Sequence, residues 1–421
     1  MKKALVLLAS ACVTIAAFAA DSVPQWAAAA LDTAQKQAED MYSKVRTERK
    51  LPRSTAKGLQ GPEDWTAGFF PGELWMLYEW TGDTIWRNRA EDACAILEGQ
   101  QFNAFDHDIG FKMQCSYGRG LDLTGRKDYA AVLDRSAFTL ASRFSPNTGL
   151  IQSWEADPQR DWLYPVIIDN MMNLELLMEA YHRTGDARLR DIAVSHADKT
   201  MLCHYRPDMT CPHVVDYDPK TGEVRKFDWN NGSDNTANST WARGQAWGLY
   251  GYTMMYRETG KRRYLAHAEK IADMLLSHPA MPDDWVPYWD FTGADRSEMR
   301  DAAAAALMAS ALIELSRYSS NGPKYFSAGE RQLKSLASPE YTATHGTHES
   351  FLLKHATGNY LRQSELDGGL SYADYYFVEG LLRYLKVLDG RQLYHNGRIG
   401  NWFIEAYSPD TQVFVGDKTI E

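Results

Sequence analysis

The carboxyl group of Asp169 is the first candidate for chemistry in this sequence, because it lies inside an apolar run at residues 165–174. Burial disfavours the charged form of an acid, so such a carboxyl tends to keep its proton towards neutral pH and can donate it to a substrate. The structural alternative is that Asp169 caps a helix beginning near Asn170. This run alone does not separate the two interpretations, since structural networks also bury acids.

A second acid, Asp108, stands in the segment Asp106-His107-Asp108-Ile109-Gly110-Phe111, beside a His that could hydrogen-bond to it. Two acids in different environments are typical of general acid and base catalysis. His107 and Asp108 could also ligate a metal, but no third well-placed His or Cys accompanies them, and we predict no metal site. Asp108 is therefore a candidate partner of Asp169 in acid–base chemistry.

The densest polar and aromatic run lies at residues 239–250. If this run is helical, Arg243 and Trp247 share one face, while Trp241 and Gln245 share the neighbouring one. A guanidinium pairs with a carboxylate bidentately and an indole stacks on a pyranose, so the run predicts a binding site for a uronic acid. The alternative is a cation–π pair within a core helix. We favour binding, because a buried Arg and a buried Gln would each need partners.

The composition limits the class of partner. The chain has 421 residues and a net charge of −10, which argues against nucleic acid or an anionic membrane surface. Its 13 Trp and 23 Tyr exceed what core packing usually recruits, and their flat faces suit stacking on sugar rings. A serine-hydrolase elbow is missing, and Gly118-Arg119-Gly120 lacks the rest of a nucleotide-binding loop.

The first twenty residues predict a signal peptide and export to the periplasm. Lys2 and Lys3 precede an apolar stretch at residues 4–17, and small residues up to Ala20 provide a cleavage site. No later stretch is apolar for long enough to span a bilayer.

The cysteines leave two questions open. A lipoprotein signal ending at Cys12 is the rival to the cleaved signal peptide, although Ala9 occupies the place where such signals usually carry Leu. Cys203 and Cys211 could form a disulfide in an oxidising compartment, or they could be two buried thiols.

Recurring helix-stop signals predict an all-α fold. Each contains a Gly that can adopt the left-handed conformation ending a helix, at Gly82, Gly125, Gly185, Gly260 and Gly358. Helix pairs follow one another without a Pro/Gly/Ser-rich linker, which predicts one toroidal domain over residues 21–421, since a single pair cannot bury its apolar face. Residues 301–310 fit an inner helix, and residues 211–222 predict one β-hairpin. Loops at the inner-helix N-termini would frame a pocket that favours an anionic ligand.

Several strings of this sequence together resemble a known family, the unsaturated glucuronyl hydrolases of glycoside hydrolase family 88. The resemblance covers roughly residues 65–385, and the order of the strings also matches. They are Asp64-Trp65-Thr66 with Phe69-Phe70-Pro71-Gly72, His107-Asp108-Ile109-Gly110-Phe111, Ile167-Ile168-Asp169-Asn170-Met171-Met172-Asn173, Trp241-Ala242-Arg243-Gly244-Gln245-Ala246-Trp247, Pro287-Tyr288-Trp289-Asp290-Phe291 and Tyr372-Ala373-Asp374-Tyr375-Tyr376-Phe377.

The resemblance implies an (α/α)6 toroid without a metal or organic cofactor, and an unusual reaction. Such enzymes remove the 4,5-unsaturated uronic acid that polysaccharide lyases leave at the non-reducing end of an oligosaccharide. They hydrate its vinyl ether double bond instead of displacing at the anomeric carbon. Asp169 falls on the family's acid/base position and Asp108 on its second essential carboxylate.

The resemblance also implies a set of substrate-binding residues, namely Trp65, Trp154, His213, Trp241, Arg243 and Trp247. Among them, Arg243 is the predicted partner of the substrate carboxylate. Where the family often has His-Gln-Gly, this chain reads Trp229-Asn230-Asn231-Gly232. Asn231 would replace the Gln with a shorter reach, and the imidazole is lost.

Three rival functions share this architecture. Unsaturated rhamnogalacturonyl hydrolases use the same hydration logic, but the strings around Asp169 and Arg243 are of the glucuronyl type. A non-catalytic glycan-binding toroid would have no need of two acids. A sugar epimerase would rely on His, and His213 lacks an obvious partner in the sequence. The expected partner is an unsaturated uronic-acid oligosaccharide, without nucleic acid or an obligate protein partner.

Overall fold

Helices make up most of the computed structural model, which describes residues 23–228, 239–292 and 299–394. They are α1 (Gln25–Glu48), α2 (Phe69–Thr81), α3 (Thr84–Leu97), α4 (Ile109–Met113), α5 (Arg119–Thr124), α6 (Lys127–Ala141), α7 (Asn170–Thr184), α8 (Ala187–Cys203), α9 (Ala242–Thr259), α10 (Arg262–Ser277), α11 (Ala302–Leu315), α12 (Gly322–Leu336) and α13 (Ser371–Leu388). A π-helical turn at Gln114–Gly118 joins α4 to α5, so the two form one interrupted helix.

The helices form two concentric rings. The inner ring consists of α2, the α4–α5 segment, α7, α9, α11 and α13, each packed on the next, and α13 packs back on α2. The helices α3, α6, α8, α10, α12 and α1 each pack outside an inner helix. This closure covers the apolar face that a helix pair cannot bury alone. The predicted (α/α)6 toroid is confirmed.

Sequence patterns explain which helices lie inside. Every residue of α11, from Ala302 to Leu315, is buried, because α9 and α13 flank this helix and α12 covers its back. The outer helix α12 buries only one face. Tyr325, Gln332 and Leu336 lie on it, separated by seven and four residues, which is the spacing of one helix face. The inner helix α11 is therefore buried all round, whereas the outer helix α12 buries one stripe.

Glycines end several of the inner helices. Gly82, Gly125, Gly185 and Gly260 each follow a helix in the left-handed conformation, with φ between 66° and 74°. The same prediction for Gly358 is wrong, because this residue lies in the loop between α12 and α13. Its Thr-Gly-Asn context is turn-forming whether or not a helix precedes it.

The strands are short and lie in the connections. They are β1 (Leu51–Ser54), β2 (Gly58–Gln60), β3 (Phe144–Ser145), β4 (Leu150–Ile151), β5 (Pro165–Ile167), β6 (Val214–Tyr217) and β7 (Val224–Asp228). The hairpin predicted from residues 211–222 is confirmed as the antiparallel pair β6–β7, and β5 adds to its other edge.

The two ends of the inner barrel differ in the length of their connections. Before each inner helix runs a long loop, such as residues 49–68, 142–169 or 337–370, whereas the turns after inner helices are as short as residues 82–83. All inner helices point the same way, so the long loops gather at one end. That end, which we call the loop end, is where a pocket can form.

The opposite end of the barrel contains the far-end ion cluster, formed by Arg257, Glu314, Glu379, Arg383 and Tyr394. Arg257 Nη1 donates to Glu314 Oε1 at 2.7 Å, and Arg383 Nη1 lies 3.1 Å from Glu314 Oε2. The Tyr394 hydroxyl donates to Glu314 Oε2 at 2.9 Å. Arg383 Nη2 lies 3.4 Å from Glu379 Oε1. Tyr394 thus inserts the segment after α13 into the barrel, and residues 395–421 lie outside the described ranges.

Other sequence predictions meet the structure only in part. Cys203 and Cys211 both carry free thiols, so the structure does not contain the disulfide that the sequence left open. Within the described ranges, no helix combines the length and the apolar character needed to cross a bilayer. The predicted signal peptide, residues 1–20, lies outside these ranges.

Candidate active site

Asp169 lies at the loop end, between β5 and the first residue of α7. The residue is 92% buried, and its side chain accepts no capping hydrogen bond from the helix. Strand pairing sets Ile167 opposite Val214, so His213 lies beside Asp169, with 3.5 Å between His213 Nε2 and Asp169 Oδ2. Among the described residues, Asp169 Oδ2 has no hydrogen-bond partner. The carboxyl is thus buried without serving the structural role of a cap.

Asp108 occupies the residue before α4, within an acidic loop. Its backbone N–H donates to Asp106 Oδ1 at 2.9 Å, and its Oδ1 lies 3.3 Å from His107 Nε2. Burial raises the pKa of Asp108 well above its ordinary value; the charges of Asp106 and Asp169 act in the same direction, and Lys112 opposes them. Asp108 is therefore an acid that holds its proton to higher pH.

His107 is neutral in this setting. It is fully buried, and burial lowers its pKa to about 4 despite the opposing charges of Asp106 and Asp169. Its Nδ1 lies 3.4 Å from Asn173 Nδ2. His107 therefore packs beside the two acids without adding a positive charge at neutral pH.

Close packing of α4 against α7 brings the two acids together. A Cβ atom at Gly110 would lie 2.3 Å from Asn173 Oδ1, so only glycine permits this approach. The Phe111 N–H donates to the same Asn173 Oδ1 at 2.9 Å. Asp108 stands two residues before Gly110, and Asp169 stands four residues, about one helical turn, before Asn173. The charge of Asp169 accordingly acts on the pKa of both Asp108 and His107.

Aromatic side chains line the space around these acids from two sides. On one side, Trp154 stacks on Trp162 with ring centroids 5.6 Å apart, and His213 contacts Trp154 at 5.7 Å and Trp241 at 4.8 Å. Sequence reasoning missed Trp162, because nothing in the sequence ties it to the site before the loop at residues 152–168 folds back.

On the other side lies Trp65. Its ring centroid is 4.9 Å from that of Tyr372 and 5.6 Å from that of Phe111. Tyr372 belongs to one of the sequence strings that resemble family 88. It contacts Trp65 because α13 packs on α2, which the sequence alone did not reveal. Flat amphipathic rings of this kind suit contact with a sugar.

Arg243 has partners that differ from the predicted substrate carboxylate. Its Nη1 donates to Asp301 and to the Thr357 carbonyl at 2.7 Å, and its Nη2 donates to the Gly358 carbonyl at 2.8 Å. The guanidinium also lies between Trp241 and Trp289, at 4.9 and 5.0 Å from their centroids. These three bonds anchor the loop at residues 357–358 and leave two of the five guanidinium N–H donors, so the pairing of Arg243 with a substrate carboxylate stays a prediction.

Trp247 lies deeper than a sugar-stacking residue would. It is 99% buried and packs between Phe111 and Tyr376, with centroids 5.2 and 5.6 Å away. Asn231, the predicted replacement for a family Gln, lies outside the described residues. Among the described residues, no group of three His, Cys, Asp or Glu side chains could hold a metal ion.

Sequence reasoning also missed Lys112 and Glu63 near Asp108, and it named Asp64 only as part of a resembling string. Lys112 lies one helical turn after Asp108 with a fully buried side chain. A lysine in the apolar stretch of α4 was the available signal, because a buried lysine requires specific partners.

Comparisons with known proteins agree with this geometry. Residues 33–263 match the sequence profile described as Glycosyl Hydrolase Family 88. An unsaturated glucuronyl hydrolase of Formosa agariphila is 44% identical over 323 residues, which cover 76% of this chain and 80% of the relative. An unsaturated glucuronyl hydrolase of Bacillus sp. strain GL1 is 32% identical over 364 residues, with coverages of 81% and 91%.

Solved structures give the same result. The crystal structure of an unsaturated glucuronyl hydrolase specific for heparin matches with a TM-score of 0.83 and 42% identity, over 86% of this chain and 97% of the other. Because the profile spans more than half of the sequence and relatives match over most of their length, the chain belongs to glycoside hydrolase family 88.

Proposed function

We propose that this enzyme removes a 4,5-unsaturated uronic acid from the non-reducing end of lyase-generated oligosaccharides, with Asp169 as acid and base. The observation that carries the proposal is the pair of buried carboxyls at the loop end. Asp169 Oδ2 has no hydrogen-bond partner among the described residues, and burial raises the pKa of Asp108. A buried carboxyl that is not committed to a structural hydrogen bond, beside a second acid, is what proton transfer to a carbon requires.

The reaction begins with proton transfer to carbon. The electron pair of the C4=C5 double bond takes the proton of the Asp169 carboxyl, and C4 becomes a methylene. Positive charge develops at C5 and is shared with the ring oxygen. Asp108 lies near enough for the charge of Asp169 to contribute to its raised pKa, so the two carboxyls act on each other during the reaction.

The second half of the reaction adds water. The Asp169 carboxylate takes a proton from water as its oxygen bonds to C5, which restores the acid. The resulting hemiketal opens by breaking the bond from C5 to the ring oxygen, and the hemiacetal left at C1 then releases the rest of the saccharide. Asp108 holds the ring hydroxyls, and His213, beside Asp169 Oδ2, orients the carboxyl.

We assign the remaining residues to sugar binding. Trp65, Trp154 and Trp241 provide rings at the edges of the space, Trp247 supports its floor, and Asn231, which lies outside the described residues, stays a proposed sugar-binding residue. Arg243 positions the loop at residues 357–358, and its charge contributes attraction for the uronate at longer range.

We propose heparin-type oligosaccharides as the substrate class, because a solved structural neighbour is described as specific for heparin. The test uses a panel of lyase-made disaccharides of heparin, chondroitin, hyaluronan and rhamnogalacturonan type, with and without sulfate. Purified enzyme is expected to remove the ultraviolet absorbance of the conjugated double bond from glucuronyl substrates. In D₂O, nuclear magnetic resonance is expected to show one deuterium at C4 in a single configuration.

Several results would overturn this proposal. Turnover confined to the rhamnogalacturonan type would favour the related hydrolases, and tight binding without turnover would favour a glycan-binding toroid. Deuterium in both configurations at C4 in the first turnovers, before the C4 protons beside the C5 ketone exchange with solvent, would indicate release of the unsaturated sugar before protonation, and hence displacement at the anomeric carbon.

We also propose that residues 1–20 are a cleaved signal peptide and that residues 21–421 form the mature periplasmic enzyme. Periplasmic extraction followed by mass determination is expected to yield a chain beginning at Asp21. A lipid-modified chain beginning at Cys12 would support the lipoprotein alternative.

A further inference from the structure

Lys112 is a buried cation at the active site that the proposed reaction does not yet use. It lies one turn into the helix that follows Asp108, and its backbone N–H donates to the Asp108 carbonyl at 3.0 Å. Its side chain has no solvent exposure. A charged ammonium is costly to bury unless acceptors surround it, so its partners define its role.

The ammonium group joins two loops of the site. Lys112 Nζ donates to the Glu63 carbonyl at 3.3 Å, and Asp106 Oδ1 lies 3.6 Å away. Asp106 Oδ1 also accepts the Asp108 N–H, which fixes the acidic loop. Glu63 directly precedes the segment that carries Trp65. The sugar-contacting loop and the acidic loop therefore share one cation.

Backbone packing makes this arrangement rigid. A Cβ atom at Gly68 would lie 2.2 Å from the Phe111 carbonyl oxygen and 2.4 Å from that of Lys112, so the loop before α2 packs directly on α4. Ser116 Oγ donates to the same Lys112 carbonyl at 2.5 Å. Lys112 therefore cannot swing towards solvent without separating these elements.

The charges around Asp108 are mostly negative. Asp106, Asp169 and Asp64 all act on it, and Lys112 is the cation that opposes them. Arg53 is already committed, with Nη1 2.6 Å from Asp64 Oδ2 and Nε 2.9 Å from Glu365 Oε1. The incoming uronate would add a further negative charge, so one buried cation has a large effect here.

We propose that Lys112 is a positioning residue of the reaction, whose ammonium ties the Trp65 loop to the Asp106–Asp108 loop and offsets the negative charge that surrounds Asp108. This inference rests on the proposed function, because it concerns the acid pair of that reaction. Lys112 thereby sets the pH range in which Asp108 keeps its proton, without touching the substrate.

The test compares four variants. Lys112→Met keeps most of the side-chain length and removes the charge, Lys112→Arg keeps the charge, and Asp106→Asn removes a negative charge while keeping an oxygen acceptor for the Asp108 N–H. Lys57→Met is the matched control, because Lys57 lies on the same side of the barrel, is 41% exposed and pairs with Glu365 at 3.3 Å. The measurements are the pH profile of kcat/KM and the ¹³Cγ resonance of Asp108, assigned by its loss in Asp108→Asn.

The expected shifts have opposite signs. In Lys112→Met, loss of the cation should move both the kcat/KM profile and the Asp108 midpoint to higher pH. At the wild-type pH optimum, kcat/KM should be about tenfold lower, because one nearby opposite charge is lost. Asp106→Asn moves both to lower pH. Lys112→Arg restores the wild-type position of the profile, and Lys57→Met does not move it.

An Asp108 midpoint that stays in place in Lys112→Met would overturn the inference. If that variant does not fold, an unmoved midpoint in Asp106→Asn has the same force. If the wild-type enzyme leaves unsaturated disaccharides intact, the proposed function fails, while the resonance midpoints still decide whether Lys112 governs the charge of Asp108.

Discussion

The two ends of the barrel both bury charged side chains, but they pair them differently. In the far-end ion cluster, Glu314 accepts hydrogen bonds from Arg257 and Tyr394 and forms an ion pair with Arg383. At the loop end, Asp169 Oδ2 has no hydrogen-bond partner among the described residues, and Asp108 is surrounded mainly by other acids.

This difference changes the proton affinity of the acids in opposite directions. Burial opposes ionisation of Glu314, but the guanidinium groups of Arg257 and Arg383 outweigh it and lower its pKa to about 2. Burial raises the pKa of Asp108, and one nearby cation does not compensate. Acids that are fully paired with cations thus stabilise the fold, whereas an acid with too few cations around it, such as Asp108, keeps its proton for chemistry.

The largest effect on folding is expected at the far end. Arg257→Met would leave the carboxylates of Glu175, Glu258 and Glu314 without their shared cation, and should destabilise the fold by about 3–5 kcal/mol. Thermal and urea unfolding measure this loss. Arg263→Met is the control, because its pair with Asp198 is partly exposed and is expected to contribute less than about 1 kcal/mol. Equal effects of the two substitutions would contradict the structural role of the cluster.

Arg243 lies at the loop end, but its guanidinium has several acceptors, as the arginines of the far-end ion cluster do. Arg243→Lys replaces a planar fork with a single ammonium and should lose bonds to the carbonyls of Thr357 and Gly358. We expect a loss of stability of about 1–3 kcal/mol together with a lower kcat/KM. Unchanged unfolding with a raised KM alone would instead support the prediction that Arg243 binds the substrate carboxylate.

Acid titration should separate the two ends. The folded-state pKa of Glu314 lies below its ordinary value of 4.5, so its contribution to stability is present above pH 4.5 and is lost as pH falls towards about 2. Glu314→Gln should therefore flatten the fall in stability across this range. Urea unfolding at a series of pH values measures it, and parallel curves for variant and wild type would count against the ion pairing.

Asp108 should show the opposite sign and the smallest effect on stability. Its folded-state pKa lies above its ordinary value of 3.8, so folding becomes less favourable as pH rises above 3.8 towards the folded-state pKa. Asp108→Asn should remove this cost and make the protein more stable at neutral pH while it loses activity. A less stable variant at neutral pH would show that Asp108 has a structural role.

The sequence was sufficient for the ring of helix pairs, because inner and outer helices differ in apolar pattern and four of five glycine stops end a helix. Asp108 and Asp169 were recognisable as acids in unusual surroundings. The partners of Arg243 were not predictable, because Thr357 and Gly358 lie more than a hundred residues away and contribute backbone carbonyls that no residue type reveals.

The most direct measurement compares Asp169→Asn with the wild-type enzyme in both turnover of an unsaturated disaccharide and thermal unfolding. Because Asp169 makes no capping hydrogen bond, the substitution should preserve the fold, with a change in stability below about 1 kcal/mol. Loss of the proton donor should lower kcat by about 10²–10⁴-fold. Retained kcat in a folded Asp169→Asn variant would contradict the assignment of this carboxyl as the acid that protonates C4.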